Sequence, residues 1–136
     1  MKASDLFVKC LEEEGVSKIF GIPGEENADF MISLKKSKKI EFILCRHEQS
    51  AAFMADVYGR LTGKAGVCLA TLGPGVTNLM TGLADANMDR APVVAIIGQG
   101  STSRLHKESH QIMDSISMVG PISKWAQTIL SPKNVT

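Results

Sequence analysis

The sequence predicts a three-layer α/β/α fold built on a mainly parallel sheet. Short apolar runs alternate along the chain with segments of helical periodicity. The runs are apolar on both faces, as strands are when helices cover both sides of a parallel sheet. At 136 residues the chain is expected to form one domain, 1–136, with enough length for a hydrophobic core.

The order of strands and helices follows from apolar runs and from helix start and stop signals. The predicted strands are 18–22, 40–45, 66–72, 92–97 and 124–130. The predicted helices are 4–14, 25–35, 47–61, one that begins at the turn 73–75, and a short one over 113–119. Ser4 is expected to cap the first helix and Gly15 to end it. A further helix should follow the last strand, so the sheet is expected to lack that helix on one face.

Composition narrows the class of protein. With a net charge of +1 and only 5% aromatic residues, the chain lacks the basic stripe and aromatic interleaving of nucleic-acid binders. No apolar run approaches the roughly 20 residues of a membrane helix, and the amino terminus does not have the apolar core of a signal peptide. The three cysteines are far apart in apolar contexts, which predicts buried free thiols. We therefore expect a cytoplasmic protein that binds neither nucleic acid nor membrane.

Glu48 is the sharpest single candidate at the carboxyl ends of the strands, where open parallel sheets bind their ligands. It follows an apolar run and begins a helix that is largely apolar. The positive end of that helix would stabilise a carboxylate by roughly 0.3–1 kcal/mol, which explains a glutamate here but not its apolar surroundings. A carboxyl group in a dry setting holds its proton or takes a donor partner, and either suits proton transfer. The residues alone leave a structural and a functional role open.

Gly73, Pro74 and Gly75 form a glycine-rich turn that opens the next helix. Such a turn exposes backbone N–H groups that can hold an anion, although a tight strand-to-helix turn needs the same residues. No Gly-Lys-Ser/Thr follows, so the turn is not a P-loop, and the dinucleotide fingerprint is missing as well. Asn78 is expected to bond to the backbone of this turn.

Two further polar groups have ordinary explanations. Asp56 and Arg60 are four apart on one predicted helix and are interpreted as a surface ion pair. His106, Lys107 and His110 lie in the polar loop after the fourth strand and are either surface residues or ligand contacts. Neither group forms a Ser/His/Asp or metal-ligand constellation.

Four short motifs occur together in residues 46–99, RHEQSAAFMADVYGRLTGKAGVCLATLGPGVTNLMTGLADANMDRAPVVAIIGQ. They are a Glu after a strand and a His, Gly-Arg-x-x-Gly, Gly-Pro-Gly-x-x-Asn, and Pro-Val-Val-Ala. This combination resembles the amino-terminal, pyrimidine-binding domain of thiamine diphosphate enzymes of the acetolactate synthase type. The similarity covers nearly the whole chain and implies the flavodoxin-like sheet of that family.

The resemblance implies a catalytic role for Glu48. In this family the matching glutamate hydrogen-bonds a ring nitrogen of the aminopyrimidine and favours the tautomer that takes the proton from C2 of the thiazolium ring. Gly73, Pro74, Gly75 and Asn78 would seat the pyrimidine. The implied cofactor is thiamine diphosphate, and the implied reaction decarboxylates pyruvate and joins the two-carbon unit to a second 2-oxo acid.

The same resemblance implies substrate contacts for four residues. Pro23 and Gly24 match a loop that lines the site, and His110 and Gln111 match a position near the substrate. The expected partner is therefore a small 2-oxo acid.

One departure concerns specificity. After Gly24 the family usually carries small residues, whereas this chain has Glu25-Glu26, which leaves room for a relative with another substrate. The glyoxylate carboligase branch is disfavoured because it lacks the glutamate found here as Glu48.

The resemblance also implies parts that this chain does not contain. Family members are several times longer, and their carboxyl-terminal domain carries a Gly-Asp-Gly motif that binds Mg²⁺ and the diphosphate. Nothing in this sequence matches that motif, and an FAD site, where one is used, would lie in a middle domain. The active site forms between two chains, so a homodimer or homotetramer is expected. The chain alone should be inactive, as an excised fragment or as half of a split enzyme.

Two alternatives stay open. One keeps the cofactor but assigns the domain to another thiamine diphosphate-dependent 2-oxo acid decarboxylase or acetyltransferase, which product analysis with pyruvate would distinguish. The other treats the isolated chain as a non-catalytic association module without cofactor affinity.

Overall fold

The computed structural model describes residues 1–104 and 107–136. In this part of the chain, helices flank a four-stranded, all-parallel sheet of order β2-β1-β3-β4. The strands are β1 (Lys18–Gly21), β2 (Glu41–Leu44), β3 (Gly66–Ala70) and β4 (Val93–Ile97). The α-helices are α1 (Ala3–Glu13), α2 (Ala28–Leu34), α3 (Glu48–Thr62), α4 (Pro74–Met88) and α5 (Ser115–Val119), with single 3₁₀ turns at Glu25–Asn27, Thr102–Arg104, Gly120–Ile122 and Pro132–Asn134. The predicted three-layer α/β/α class is confirmed.

The strand order creates a switch point between β1 and β3. From β1 the chain passes to β2 on one side, then crosses back to place β3 on the other side. In open α/β sheets the loops that leave such a point diverge and form a crevice beyond the carboxyl ends of the strands. The topology therefore places a candidate ligand site between the loops after β1 and β3.

The two faces of the sheet bury separate apolar layers. Residues of β3 alternate between these layers, as the pleat of a strand requires. The layer under α1 and α2 contains Val8, Leu11, Ile19, Phe30, Leu34, Val67 and Leu69. The layer under α3 and α4 contains Phe20, Cys45, Ala51, Ala52, Ala55, Cys68, Ala70 and Leu79. All five residues of β3 are buried, which explains why its sequence is an unbroken apolar run.

α3 and α4 are the longest of the described helices, at 15 residues each. None of the described helices is long and apolar enough to cross a membrane.

Small residues allow close packing around α3. A Cβ built on Gly82 of α4 would lie 2.6 Å from the Cβ of Ala52, and one on Gly66 would lie 1.9 Å from the carbonyl oxygen of Ala55. Since a larger side chain at either glycine would push α3 away, these contacts fix its position against β3 and α4.

The strand predicted at 124–130 is wrong. In the described part of the chain no ladder joins this segment to β4, and Trp125, Ile129 and Leu130 are exposed. Apolar and aromatic residues give the segment the composition of a strand, but a strand also needs a neighbour to satisfy its backbone groups. Without that neighbour the segment is irregular.

The cap predicted at Ser4 is also wrong, whereas the stop at Gly15 is confirmed. α1 begins at Ala3 with Lys2 in the N-cap position, so Ser4 lies within the first turn. Its hydroxyl is instead 2.9 Å from the Oγ of the buried Ser33 in α2. Gly15 has a φ of 76°, the left-handed conformation that commonly ends a helix.

The cysteines are free thiols, of which Cys45 and Cys68 are buried as predicted and Cys10 is half-buried. Burial raises the pKa of the Cys68 thiol to about 12 and also raises the pKa of Cys45. Both groups therefore remain protonated at neutral pH and have little reactivity as nucleophiles.

Candidate functional site

The loops after β1, β3 and β4 meet at the carboxyl edge of the sheet. Gly24 follows β1, Thr71 follows β3 and Gly98 follows β4. A Cβ built on Gly24 would lie 2.8 Å from the Cβ of Thr71, and one built on Gly98 would lie 3.3 Å from the Cα of Thr71. These three loops therefore converge at one edge of the sheet, and Thr71 lies where they meet.

Glu48 is the first residue of α3 and is 9% exposed. His47 occupies the N-cap, where its Nδ1 accepts a hydrogen bond from the backbone N–H of Gln49 at 3.2 Å. The Oε2 of Glu48 accepts a hydrogen bond from the Nδ2 of Asn78 at 3.0 Å. Among the described residues no donor reaches Oε1. The protein thus fixes one oxygen of a buried carboxylate and leaves the other available.

The sequence suggested that Asn78 bonds to the backbone of the glycine-rich turn, but its side chain does not. It lies in the first turns of α4, and its side chain reaches across to α3 instead. The two partners are 30 residues apart in sequence, and nothing in the local pattern around Asn78 indicates a contact with Glu48. Only the packing of α3 against α4 brings them together.

The turn at 73–75 suits the close approach of a ligand to its backbone better than it suits anion binding. The backbone N–H of Gly75 bonds to the carbonyl of Leu72 and that of Val76 bonds to Gly73, at 3.2 and 3.0 Å, so these donors are used within the turn. A Cβ built on Gly75 would lie 3.7 Å from Glu48 Oε1. Glycine at this position therefore keeps the space in front of that oxygen open. Pro74 occupies the start of α4, as predicted.

Gln111 lies against the same turn. Gly73 has a φ of 58°, and a Cβ on it would be 2.7 Å from the Cβ of Gln111 and 2.9 Å from its carbonyl oxygen. Gln111 is exposed and itself has a φ of 56°, a conformation that is uncommon outside glycine. His110 beside it is exposed, and His106 lies outside the described residues.

The loop after β1 is held by Asn27 and Thr71, which the sequence did not single out, and by Glu26. The N–H of Gly24 donates to the Oδ1 of Asn27 at 2.8 Å, and Asn27 is buried. The Oγ1 of Thr71 donates to the Oε2 of Glu26, also at 2.8 Å. Pro23 is exposed at the rim of this loop. Thr71 could have been noticed as the polar residue that ends the apolar run of β3.

The Asp56–Arg60 pair is not a surface pair, which corrects the sequence-based interpretation. Asp56 is 1% exposed and accepts two hydrogen bonds from Arg60, each 2.8 Å long. Arg60 also donates to Asp85 and Asp89 of the α4 segment. These carboxylates, Asp56 foremost, raise the pKa of Arg60 above its ordinary value. The guanidinium therefore ties α3 to α4, the two helices that carry Glu48 and Asn78.

The described residues contain no group of three or more His, Cys, Asp or Glu side chains placed to hold a metal ion. The carboxylates at the sheet edge are instead engaged by neutral donors, Asn78 for Glu48 and Thr71 for Glu26. The arrangement suits hydrogen bonding to a ligand and proton transfer better than metal binding.

Comparison with known proteins agrees with this geometry. The family model of the thiamine pyrophosphate enzyme N-terminal TPP binding domain matches residues 1–118. An acetolactate synthase of Bacillus subtilis is 44% identical over 134 residues, which are 98% of this chain and 23% of the relative. A probable acetolactate synthase large subunit of Methanocaldococcus jannaschii is 42% identical over 99% of this chain and 23% of its own length. A catabolic acetolactate synthase of Raoultella terrigena is 48% identical over 90% and 22%.

The chain thus spans less than a quarter of the length of these curated relatives. The residues matched by the family model, 1–118, include the loops after β1 and β3 and the first residues of α3. The chain therefore belongs to the thiamine pyrophosphate enzyme family, as an N-terminal cofactor-binding domain of the acetolactate synthase type.

Proposed function

We propose that this domain seats the aminopyrimidine of thiamine diphosphate against Glu48, in an enzyme that decarboxylates pyruvate and transfers the two-carbon unit to a second 2-oxo acid. One observation carries the proposal. Glu48 is buried, with one oxygen held by Asn78 and the other without a donor among the described residues. A carboxylate of this kind is suited to accept a hydrogen bond from a ring nitrogen of a bound ligand.

The residues around Glu48 fit such a ring. Gly75 leaves the space in front of Oε1 open, since a Cβ there would lie 3.7 Å from that oxygen. Gly73 adopts a φ of 58°, a conformation that glycine allows without strain, and its missing side chain leaves room for Gln111, whose Cβ would lie 2.7 Å from a Cβ on Gly73. Asn78 holds the other oxygen in place. Together with Glu48, these three residues would line the pyrimidine.

Thiamine diphosphate supplies the electron sink that decarboxylation of a 2-oxo acid needs. When the cofactor is bound, Oε1 of Glu48 would accept a hydrogen bond from the ring N–H and would favour the protonation state in which the cofactor is reactive. The Asn78 hydrogen bond restrains rotation of the carboxylate, so Oε1 would stay available to the ring. Because Glu48 is only 9% exposed, water competes little for this oxygen, and the contact is stronger than it would be at the surface.

The substrate side of the site is assigned to the two loops that flank the turn. Gln111 lies against Gly73, which supports a contact between Gln111, with His110, and the 2-oxo acid. Pro23 and Gly24 are assigned to the substrate as well, because a Cβ built on Gly24 would lie 2.8 Å from the Cβ of Thr71. The substrate would lie between these loops, close to the pyrimidine.

The remaining parts of the active centre are proposed to lie outside this domain. Mg²⁺ and the diphosphate would be held by a second domain, and FAD, if the enzyme uses it, by a third. The centre would be completed across the interface of a homodimer or homotetramer in the cytoplasm, so the domain alone would be inactive.

A second candidate keeps the cofactor but changes the reaction, to another 2-oxo acid decarboxylase or an acetyltransferase. Glu26 supports it, because this carboxylate contacts Thr71 at the centre of the converging loops. Small residues usually occupy this part of the loop in the family the sequence resembles. A charge at this place is expected to alter which acceptor is used.

Product analysis tests the proposal. The enzyme that contains this domain together with its diphosphate-binding domain is incubated with pyruvate, thiamine diphosphate and Mg²⁺. Acetolactate is the expected product, and Glu48→Gln should abolish its formation. Acetaldehyde as the sole product would favour the second candidate. Tight, Mg²⁺-dependent cofactor binding by residues 1–136 alone would contradict the division of the site between domains.

A further inference from the structure

Thr71 lies between two carboxylates at the carboxyl end of β3. Its Oγ1 donates to Glu26 Oε2 at 2.8 Å. Its Cγ2 would be 3.3 Å from a Cβ on Gly75, and that same Cβ position is 3.7 Å from Glu48 Oε1. Glu26 approaches from the α2 side and Glu48 from the α3 side. The site therefore has a second carboxylate that the role of Glu48 does not use.

Glu26 is held in place by two contacts of its own and by a hydrogen bond within its loop. The Thr71 hydroxyl fixes one of its oxygens, and Gly98 packs against its side chain, because a Cβ on Gly98 would lie 3.3 Å from the Cβ of Glu26. The Gly24–Asn27 hydrogen bond braces the loop on which it lies. A half-buried carboxylate with this support cannot easily turn away from an incoming ligand.

The other oxygen of Glu26 has no donor among the described residues. The carboxylate of Glu26 contacts the hydroxyl of Thr71, at the point where the loops after β1, β3 and β4 meet. An anion that comes beside Thr71 therefore meets a fixed negative charge. In a partly dry setting such a charge acts more strongly on an ion than it would in bulk water.

We propose that Glu26 selects the acceptor substrate by charge. This inference rests on the proposed function and deepens it. Pyruvate loses carbon dioxide, its two-carbon unit forms a carbon–carbon bond to the acceptor carbonyl carbon, and the carbonyl oxygen takes up a proton, so no oxidant or reductant is needed. Glu26 disfavours acceptors in proportion to their negative charge. Dianionic 2-oxo acids are excluded, monoanionic 2-oxo acids are used, and neutral aldehydes compete with them.

Glu26→Gln in the complete holoenzyme tests the proposal, because glutamine keeps an oxygen that can accept from Thr71 while removing the charge. Glu25→Gln is the matched control, since Glu25 is the exposed neighbour. With pyruvate as donor, kcat/KM is measured for propanal, 2-oxobutyrate and 2-oxoglutarate, or their competitive inhibition constants where turnover is absent. We expect a gain of about fivefold for the monoanion and about twentyfold for the dianion, with less than about twofold for propanal. Glu25→Gln should change none of them by more than about twofold.

A response that grows with the negative charge of the acceptor distinguishes an effect of the Glu26 charge from a merely structural role of this residue. Equal changes for all three acceptors, or no change, would overturn the proposal. Glu26→Asp retains the charge and should retain the discrimination against 2-oxoglutarate, so its loss in that variant also counts against the proposal. Exchange of the cofactor C2 proton is measured in parallel without any acceptor. If the wild-type enzyme shows no such exchange, the proposed function fails rather than the assignment of Glu26.

Discussion

Asn78 donates a hydrogen bond from its Nδ2 to the Oε2 of Glu48 at 3.0 Å, and this bond joins the start of α4 to the first residue of α3. Glu48 is buried where it receives this bond. The contact explains how a carboxylate beside an apolar layer is satisfied without an ion pair. It also sets the direction of the second oxygen, on which the proposed cofactor contact depends.

Removal of the Asn78 amide should therefore impair cofactor activation. We expect Asn78→Ala to lower the rate of C2 proton exchange in the complete enzyme by about tenfold to a hundredfold, because Glu48 loses its orientation. Asn87→Ala is the control, since Asn87 is exposed on the same helix. Equal exchange rates in the two variants would show that the orientation of Glu48 does not depend on Asn78.

The Arg60 network should be a principal source of stability between α3 and α4. Arg60→Ala removes the cation that pairs with the buried Asp56. It also removes the ion pairs with Asp85 and Asp89, which link α3 to the α4 segment. A buried carboxylate left without its cation is strongly unfavourable, so we expect Tm to fall by about 5–10 °C. The control is Lys18→Ala, which breaks the more exposed pair with Glu41 and should change Tm by about 1 °C. Similar Tm values for both variants would contradict this role of Arg60.

Alanine substitutions at Gly73 and Gly15 allow the cost of backbone strain to be measured apart from the cost of crowding. Both have positive φ, 58° and 76°, but a Cβ on Gly73 meets Gln111 at 2.7 Å, whereas a Cβ on Gly15 meets nothing within 4 Å. We expect Gly15→Ala to lower the free energy of unfolding by about 1 kcal/mol. Gly73→Ala should cost more because Gln111 must also move. Urea unfolding of both variants measures the difference. Equal losses in the free energy of unfolding would mean that Gln111 moves aside at no cost.

Asp5 should contribute stability that is lost in acid. Hydrogen bonds from Ser33 and then Lys36 lower the pKa of Asp5 to about 2 from an ordinary value of 3.8. Since the folded-state pKa is the lower one, the contribution is present above about pH 4 and disappears as the pH falls towards 2. Asp5→Asn should therefore be less stable than wild type at pH 6, and the gap should close by about pH 2. Urea unfolding at pH 6, 4 and 2.5 measures this, and a gap that is constant with pH would refute it. Glu14→Gln, at an exposed position, serves as the control.

Local sequence patterns were sufficient for the elements that bury a continuous apolar face. The strand at Gly66–Ala70 is apolar throughout because both of its faces are covered. Glu48 and the turn at 73–75 stand out for a similar reason: a carboxylate beside an apolar run and glycines at a strand end are local departures from the pattern. The segment 124–130 shows the limit, since its composition is that of a strand but no neighbour pairs with it.

Contacts between distant elements could not be predicted in this way. Asp56 belongs to a helix that also carries exposed polar residues, and only the approach of α4 makes its position a buried one. The partners Asn78 and Glu48 are 30 residues apart, and Thr71 and Glu26 are 45 apart. Each pair depends on how two helices or loops pack, which periodicity along a single segment does not specify.

Exchange of the C2 proton of thiamine diphosphate for deuterium, followed by NMR after rapid quenching, tests the role of Glu48 most directly. Glu48→Gln in the complete enzyme keeps the shape of the side chain and an oxygen for Asn78, but removes the carboxylate. We predict that exchange slows by at least about a hundredfold, while Tm stays close to that of Glu14→Gln, a control at an exposed position. An exchange rate in Glu48→Gln equal to that of wild type would contradict the assignment of Glu48 as the activating group.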